Sequence, residues 1–313
     1  MARLLMARYT NDTFSGMFDL TRRKFVSLSA AAVVGTEASR ILLAQDSDLA
    51  AARLRAAEDL AKLVQVQAMI GNGVDYEFLR MFEDFVDLNI RVSPSPGAYR
   101  TLMPDPASPP GRGGGFRRPT DVIVLYDQIY DMPAESQESI RRFVDAGKGI
   151  VVLHNALTDY QRWPFWYRDV VGGAYLIADR GMPATFAGQH ERGPAEDQLP
   201  DHASSSPDKL IGPGVWNFKE YTVRPVGTHP VLTGVQPFTV RDEKYKNLWQ
   251  SDKIVPVLQT DDPDSDKVVG WIGPHPKARV FAFVLGHSAE AHVHPVYRRI
   301  VHNAILWAAE RPV

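Results

Sequence analysis

The sequence predicts an α/β fold, a mostly parallel sheet with helices on both faces, and three observations carry that reading. Asp121–Tyr126, Lys148–His154 and Val280–Leu285 contain continuous apolar runs of strand length, the pattern of strands covered on both sides. The segments that follow them, from Pro133 and from Pro295, place apolar residues at helical spacing. The ordered part of the chain also opens as strand, helix, strand, the way a parallel sheet begins.

The length of 313 residues, 44% hydrophobic and 23% charged, suffices for a substantial core, and one domain with extensions is the economical count. A formal net charge of -2 argues against a nucleic-acid partner, which would call for a clustered basic face. The absence of cysteine excludes disulfides, thiolate metal ligands and a cysteine nucleophile. The oligomeric state, a homo-oligomer included, is left open.

Along the chain, residues 1–45 read as an export signal. Thr21-Arg-Arg-Lys-Phe-Val26 followed by the Ala- and Ser-rich run to Val34 resembles a twin-arginine motif. The run is too short for a stable membrane span, and cleavage near Ala44 places the mature protein in the periplasm or outside the cell. The stretch before Met17 lacks the basic start of a signal, so translation is expected to begin at Met17. Residues 46–61 form a lead-in, with Ala50–Leu60 helical or polar, and residues 62–313 form the domain proper.

Leu63–Ile70 reads as the first strand and Gly71-Asn-Gly73 ends it. Tyr76, Leu79, Phe82, Phe85 and Val86 repeat at helical spacing, and Asn89–Val92 is a short strand. Between Pro94 and Pro119, Gly111-Arg-Gly-Gly-Gly-Phe-Arg-Arg118 lacks the Gly-Lys-Ser/Thr ending of a phosphate cradle and reads as a surface loop. Pro133 opens a helix whose Ile140, Phe143 and Val144 face the sheet and which Gly147 caps. Gly286 permits a sharp turn after Val280–Leu285, and the helix after Pro295 presents Val296, Ile300, Val301, Ala304, Ile305 and Ala308 on one side.

Two of the apolar strands thus end in histidine, His154 and His287, at the carboxyl edge where open α/β sheets bind ligands. A capped core histidine is the plainer reading of either alone; both together point to a shared site. The aromatics after His154 (Tyr160, Trp163, Phe165, Trp166, Tyr167) read first as packing, with Trp163 or Trp166 able to line a cleft edge.

Gly149-Ile-Val-Val-Leu-His154, Val170-Val-Gly-Gly173, Thr228-His-Pro-Val-Leu-Thr-Gly234, Val240-Arg-Asp-Glu-Lys-Tyr245 and Gly286-His287 with Asn303-Ala-Ile-Leu-Trp307 stand in the order of one family. In these motifs residues 62–310 resemble the trehalose-utilisation, or ThuA-like, family. The resemblance implies a flavodoxin-like sheet related to class I glutamine amidotransferases and a role in bacterial sugar metabolism, with relatives tied to 3-keto forms of disaccharides. Thiol-based glutamine hydrolysis is excluded, since the corresponding strand ends in His154-Asn155 and no cysteine exists. The chain departs from the family pattern at Gly71-Asn-Gly73 and in a polar insertion between Gly173 and Trp216 that carries His190 and His202, read as a lid or an ornament.

Catalysis therefore falls to His154, His287, Asp242 and Glu243. The two carboxylates follow a short strand, Phe238–Arg241, where neighbours point to opposite sides, so only one is expected to face the cleft. Asn155, Trp163, Trp166, Tyr245 and Glu290 are the candidate sugar contacts. His154, His287 and Asp242, or Glu243 in its place, would also suit zinc or a similar divalent ion if the loops converge. His292 and His294 read as surface residues, and His229 as the fixer of a turn. The favoured activity is cleavage of a glycoside or keto-glycoside, such as a trehalose derivative, by acid-base or metal-assisted chemistry. The alternative is a non-catalytic sugar-binding or partner module of a sugar-oxidation system.

Overall fold

The computed structural model describes residues 49–52, 54–55, 58–59, 62–71, 75–93, 99, 102, 119–128, 132–160, 163–176, 204–208, 210–213 and 215–313. The export signal, the glycine-rich Gly111–Arg118, His190 and His202 lie outside these residues. The chain divides into two compact units, residues 1–61 and 62–313. The described residues of the first are helical. No helix among the described residues is long and apolar enough to cross a membrane.

In the second unit the chain forms β1 (Val64–Ile70), α1 (Tyr76–Glu83), β2 (Leu88–Ser93), β3 (Val122–Tyr126), α2 (Ala134–Asp145) and β4 (Gly149–Leu153). A 3-10 turn, His154–Thr158, and a π-helix, Phe165–Val171, precede the short strands β5 (Gly173–Ala174), β6 (Leu210–Gly212) and β7 (Val215–Trp216). Then come β8 (Lys219–Pro225), β9 (Phe238–Asp242), β10 (Trp249–Gln250), β11 (Val255–Thr260), β12 (Val268–Ile272), β13 (Val280–Phe283), α3 (Ala289–Val293) and α4 (Pro295–Ala308).

Nine strands join one sheet in the order β2-β1-β3-β4-β13-β12-β11-β8-β9. The first five are parallel and reproduce the flavodoxin-like order 2-1-3-4-5. Every residue of β1, β3, β4 and β13 is buried, which is why these strands read as continuous apolar runs. Each such Val, Ile, Leu or Phe side chain contributes about 1.5–3 kcal/mol relative to exposure. Helix α4 packs on β3, β4 and β13 with Tyr297, Ile300, Val301, Ala304, Ile305 and Ala308 buried, and it lies so close that a Cβ on Gly149 would strike the Ala308 carbonyl.

The last four strands are antiparallel, and the edge strand β9 alternates buried and exposed residues, as a one-sided sheet requires. The β11–β12 pairing shifts register on either side of Leu258, and such irregularities add bend and twist. Although three strands separate β9 from β13 in the sheet, β9 packs on α3, just after the β13 turn. The carboxyl end of β9 is thereby brought to the carboxyl end of β13.

Beside this edge, after β3, Asp127 is 4% exposed and hydrogen-bonds Asp159. Burial pushes the Asp127 carboxyl up to about 6, against the lowering effect of its hydrogen bonds with Asp159 and with its own backbone. A raised folded-state value favours folding fully below the unfolded value of 3.8 and loses that contribution as pH rises through 6. Asp127→Asn is therefore expected to gain stability relative to wild type between pH 4 and pH 7, by an amount on the order of 2 kcal/mol. Urea unfolding at the two pH values measures it, and a difference independent of pH would refute the assignment.

Candidate functional site

The turn after β13 is fixed from both sides of one peptide group. Asp242, the fully buried last residue of β9, accepts backbone hydrogen bonds from Gly286 at 2.6 Å, His287 at 3.0 Å and Ser288 at 2.8 Å. The Gly286 carbonyl accepts from the Tyr126 hydroxyl and from His292 Nε2, the latter at 2.8 Å. His292 Nδ1 pairs in turn with Asp75 at 2.6 Å, whose other oxygen caps α1 through the Phe78 N–H. Gly286 has φ of 119°, and a Cβ there would collide with the Tyr297 hydroxyl, so the position demands glycine. Ser288 completes the turn, its hydroxyl donating to the Arg241 carbonyl and accepting from the Ala291 N–H at the start of α3.

This frame presents His287 to His154 and Glu243. His154 leaves β4 with φ of 46° and is fully buried. Its Nδ1 lies 2.8 Å from the Val284 carbonyl, which can only accept, so Nδ1 carries a hydrogen and Nε2 is turned inward. Nε2 faces His287 Nδ1 at 3.0 Å, Glu243 Oε2 at 3.2 Å and the Tyr245 hydroxyl at 3.3 Å. Glu243 Oε2 also pairs with His287 Nδ1. Burial alone would push the Glu243 carboxyl up, but hydrogen bonds and charge from His154 and His287 outweigh it and hold it at about 2. Glu243 is thus a buried anion whose compensation comes from two imidazoles. Burial drives the Tyr245 phenol well above its ordinary range, so it stays protonated, a donor to His154 or to Asn155 Oδ1 at 3.4 Å.

Of the trio only His287 reaches the surface, its side chain 25% exposed against 0% for His154 and 4% for Glu243. The rings of Trp216 and Phe218 lie 5.0 and 5.1 Å from the His287 ring, centroid to centroid. One coordinating atom from each of His154, Glu243 and His287 falls within 4.8 Å of the others, and two imidazole nitrogens with a carboxylate oxygen suit zinc or a related divalent ion. The Nδ1–H to carbonyl bond of His154 is the outer contact that orients a metal-ligating histidine.

Of the residues singled out in the sequence, the structure gathers His154, His287, Glu243, Tyr245 and Asn155. Asp242 stands directly beneath them, its carboxylate turned to the backbone of the turn and not to the imidazoles. Of the two carboxylates it is Glu243, just past the strand end, that completes the coordinating trio. Glu290 lies exposed in an ion pair with Arg241 at 3.1 Å. Trp163 and Trp166 are buried in an aromatic group with Tyr160. There the Arg141 guanidinium sits 5.2 Å over the Trp163 ring.

His292 is not a surface residue: the support of Gly286 places it fully inside. His294 is half-buried, where it caps α4 through the Val296 N–H. His229 caps its own short turn through the Val231 N–H, in keeping with the turn-fixing reading. Sequence reasoning passed over Trp216, Phe218 and Tyr126. The signal available for the first two was an i, i+2 aromatic pair at the end of the polar insertion.

The profile of the ThuA family, described as trehalose utilisation, matches residues 118–308. No curated protein matches the chain. Among solved structures, a ThuA-like protein from Parabacteroides merdae ATCC 43184 is 16% identical, with 80% of this chain and 92% of that one covered and a TM-score of 0.56. A second, from Bacteroides uniformis ATCC 8492, is 14% identical over 78% of this chain and 90% of that one, with a TM-score of 0.50. A glutamine amidotransferase from Thermotoga maritima matches at 8% identity over 79% and 97%, with a TM-score of 0.39. The two ThuA-like structures share the fold of this chain.

The three backbone donors on Asp242 make its charge a structural requirement. Asp242→Asn turns an amide NH2 against at least one of those N–H groups, and a loss of about 2–3 kcal/mol in urea-unfolding stability is expected. A loss below about 0.5 kcal/mol, within the range of an ordinary surface substitution, would show that the turn holds without the carboxylate.

Proposed function

The chain belongs to the ThuA, or trehalose-utilisation, family, and on that premise we propose that it is a carbohydrate-active enzyme that cleaves a keto-glycoside by acid-base chemistry at His287. The observation that carries this reading is the trio at the carboxyl edge of the sheet, a surface-reaching imidazole backed by a buried carboxylate and a second imidazole. With Nδ1 held against Glu243, the other nitrogen of His287, Nε2, is the one left for a substrate. Such a pairing fixes the ring's tautomer and orientation and stabilises the imidazolium that forms when Nε2 takes a proton.

A ketone acidifies the hydrogen on the carbon beside it. His287 Nε2 removes that proton, the electron pair of the C–H bond forms the enolate, and its collapse to the enone breaks the bond to the aglycone oxygen. The imidazolium returns the proton to that oxygen, and the aglycone departs as an alcohol. Water then adds across the carbon–carbon double bond, giving net hydrolysis. His154 and Tyr245 act through Glu243 and His287 as positioning residues, since both are buried behind them. Classical glycosidase chemistry needs two opposed carboxylates at the scissile bond, and here Asp242 is committed to the backbone while Glu243 is paired to imidazoles.

The 4.8 Å clustering of three coordinating atoms favours a second reading, a divalent ion held by His154, Glu243 and His287. Such an ion would supply Lewis-acid polarisation of the sugar ketone. The twin-arginine motif supports action outside the cytoplasm, in the periplasm.

The decisive experiment incubates the mature protein, stripped of metal, with a 3-keto-disaccharide and follows free glucose beside a His287→Ala control. Release by the stripped protein and a loss of about 100-fold or more in the variant are expected. Release only after zinc, manganese or calcium is restored would move the assignment to the metal reading. Saturable binding with no release under any condition would sink the elimination mechanism and leave a sugar-binding module.

A further inference from the structure

We propose that Trp216 and Phe218 form the platform on which the reacting sugar ring rests, so that this aromatic pair sets a pyranose-binding subsite directly against His287. The inference deepens the function proposed above and rests on it for the identity of the reacting ring.

Trp216 ends β7 and Phe218 follows two residues later, and neighbours two apart on extended backbone project to the same side. Their rings are parallel within 6°, with centroids 6.4 Å apart. Both stand at 57° to the His287 ring and at nearly equal distance from it. Each is half-buried and not sealed in the core, unlike Trp166 and Trp271, which are among the largest fully buried side chains. The one trio member open to solvent is therefore bordered by two partly open aromatic rings.

That juxtaposition selects a ligand chemistry. An apolar wall beside a single polar reactive group fits a molecule with a C–H face and a rim of hydroxyls. A pyranose ring has that character, because its axial hydrogens make one face apolar while its hydroxyls lie around the edge. Stacked by that face on Trp216 and Phe218, such a ring lies beside His287, which borders both side chains. A phosphate-bearing ligand fits less well, since Arg241, which donates to the Phe218 carbonyl, is already paired with Glu290, and Lys219 is followed by Glu220. In the sequence Trp216 closes the polar insertion.

The test separates platform from chemistry. Trp216→Leu and Phe218→Leu keep apolar bulk and remove the π face, and are assayed with the 3-keto-disaccharide for KM and kcat separately. Binding is measured independently by calorimetry with unmodified trehalose on the His287→Ala protein, with and without Trp216→Leu. The platform predicts a KM raised about tenfold or more with kcat within threefold, weaker trehalose binding by the same factor, and recovery in Trp216→Phe. Unchanged KM and trehalose affinity in both leucine variants would overturn it, as would a fall confined to kcat, which would make the rings a shield for His287 only. Trehalose binding that depends on Trp216 with no turnover of the keto-sugar would keep the platform and reject the cleavage reaction.

Discussion

The carboxylate of Asp242 is the joint on which the site depends. It ends the outermost antiparallel strand and takes up three successive backbone N–H groups of the turn after β13. Hydrogen bonds to a buried charge are the strong ones, and three on one carboxylate compensate for its removal from water. Without that closure the two halves of the sheet would still form, since each is held by its own ladder. The turn that aims His287 would be free to take other directions, and Glu243, one residue on, would lose its register with the imidazoles.

The opposite face of the same peptide is held just as firmly. Tyr126 from β3 and His292 from α3 both donate to the Gly286 carbonyl, and Asp75 links His292 to the start of α1. Parallel core, antiparallel extension and first helix therefore meet at one glycine. A reactive group held by several rigid elements keeps its geometry, which acid-base chemistry requires more than it requires any particular residue type.

Two adjacent buried charges at the site are compensated. Glu243 is paired with two imidazoles, and the ammonium of its neighbour Lys244, itself buried, lies 3.4 and 3.5 Å from Asp262 and Asp264. Along residues 242–245 the side chains thus serve in turn the backbone turn, the imidazoles, an acidic loop and the His154 ring. At the end of β4, His154 occupies a left-handed backbone conformation. Such strain persists only where surrounding contacts hold it, and here the Val284 carbonyl, Tyr245 and His287 do so.

The sequence by itself determined the parallel core and the helices around it, because fully covered strands are apolar without interruption and α4 repeats at its own period. It also brought His154 and His287 to the strand ends, since strand limits are local and a glycine after an apolar run marks a turn. The division of labour between Asp242 and Glu243 was not legible: adjacent acids look alike in sequence, and their roles follow from which one points under a turn 44 residues away. The same holds for His292, which read as a surface residue while its partners, Asp75 and Gly286, lie on other elements. Trp163 and Trp166, after an apolar strand, read first as packing and second as a cleft edge, whereas Trp216 and Phe218, beside a polar insertion, drew no reading as a site. Only the tertiary structure decided between them, because the β8–β9 pairing sets Lys219, next to Phe218, opposite Asp242, which holds the turn that bears His287.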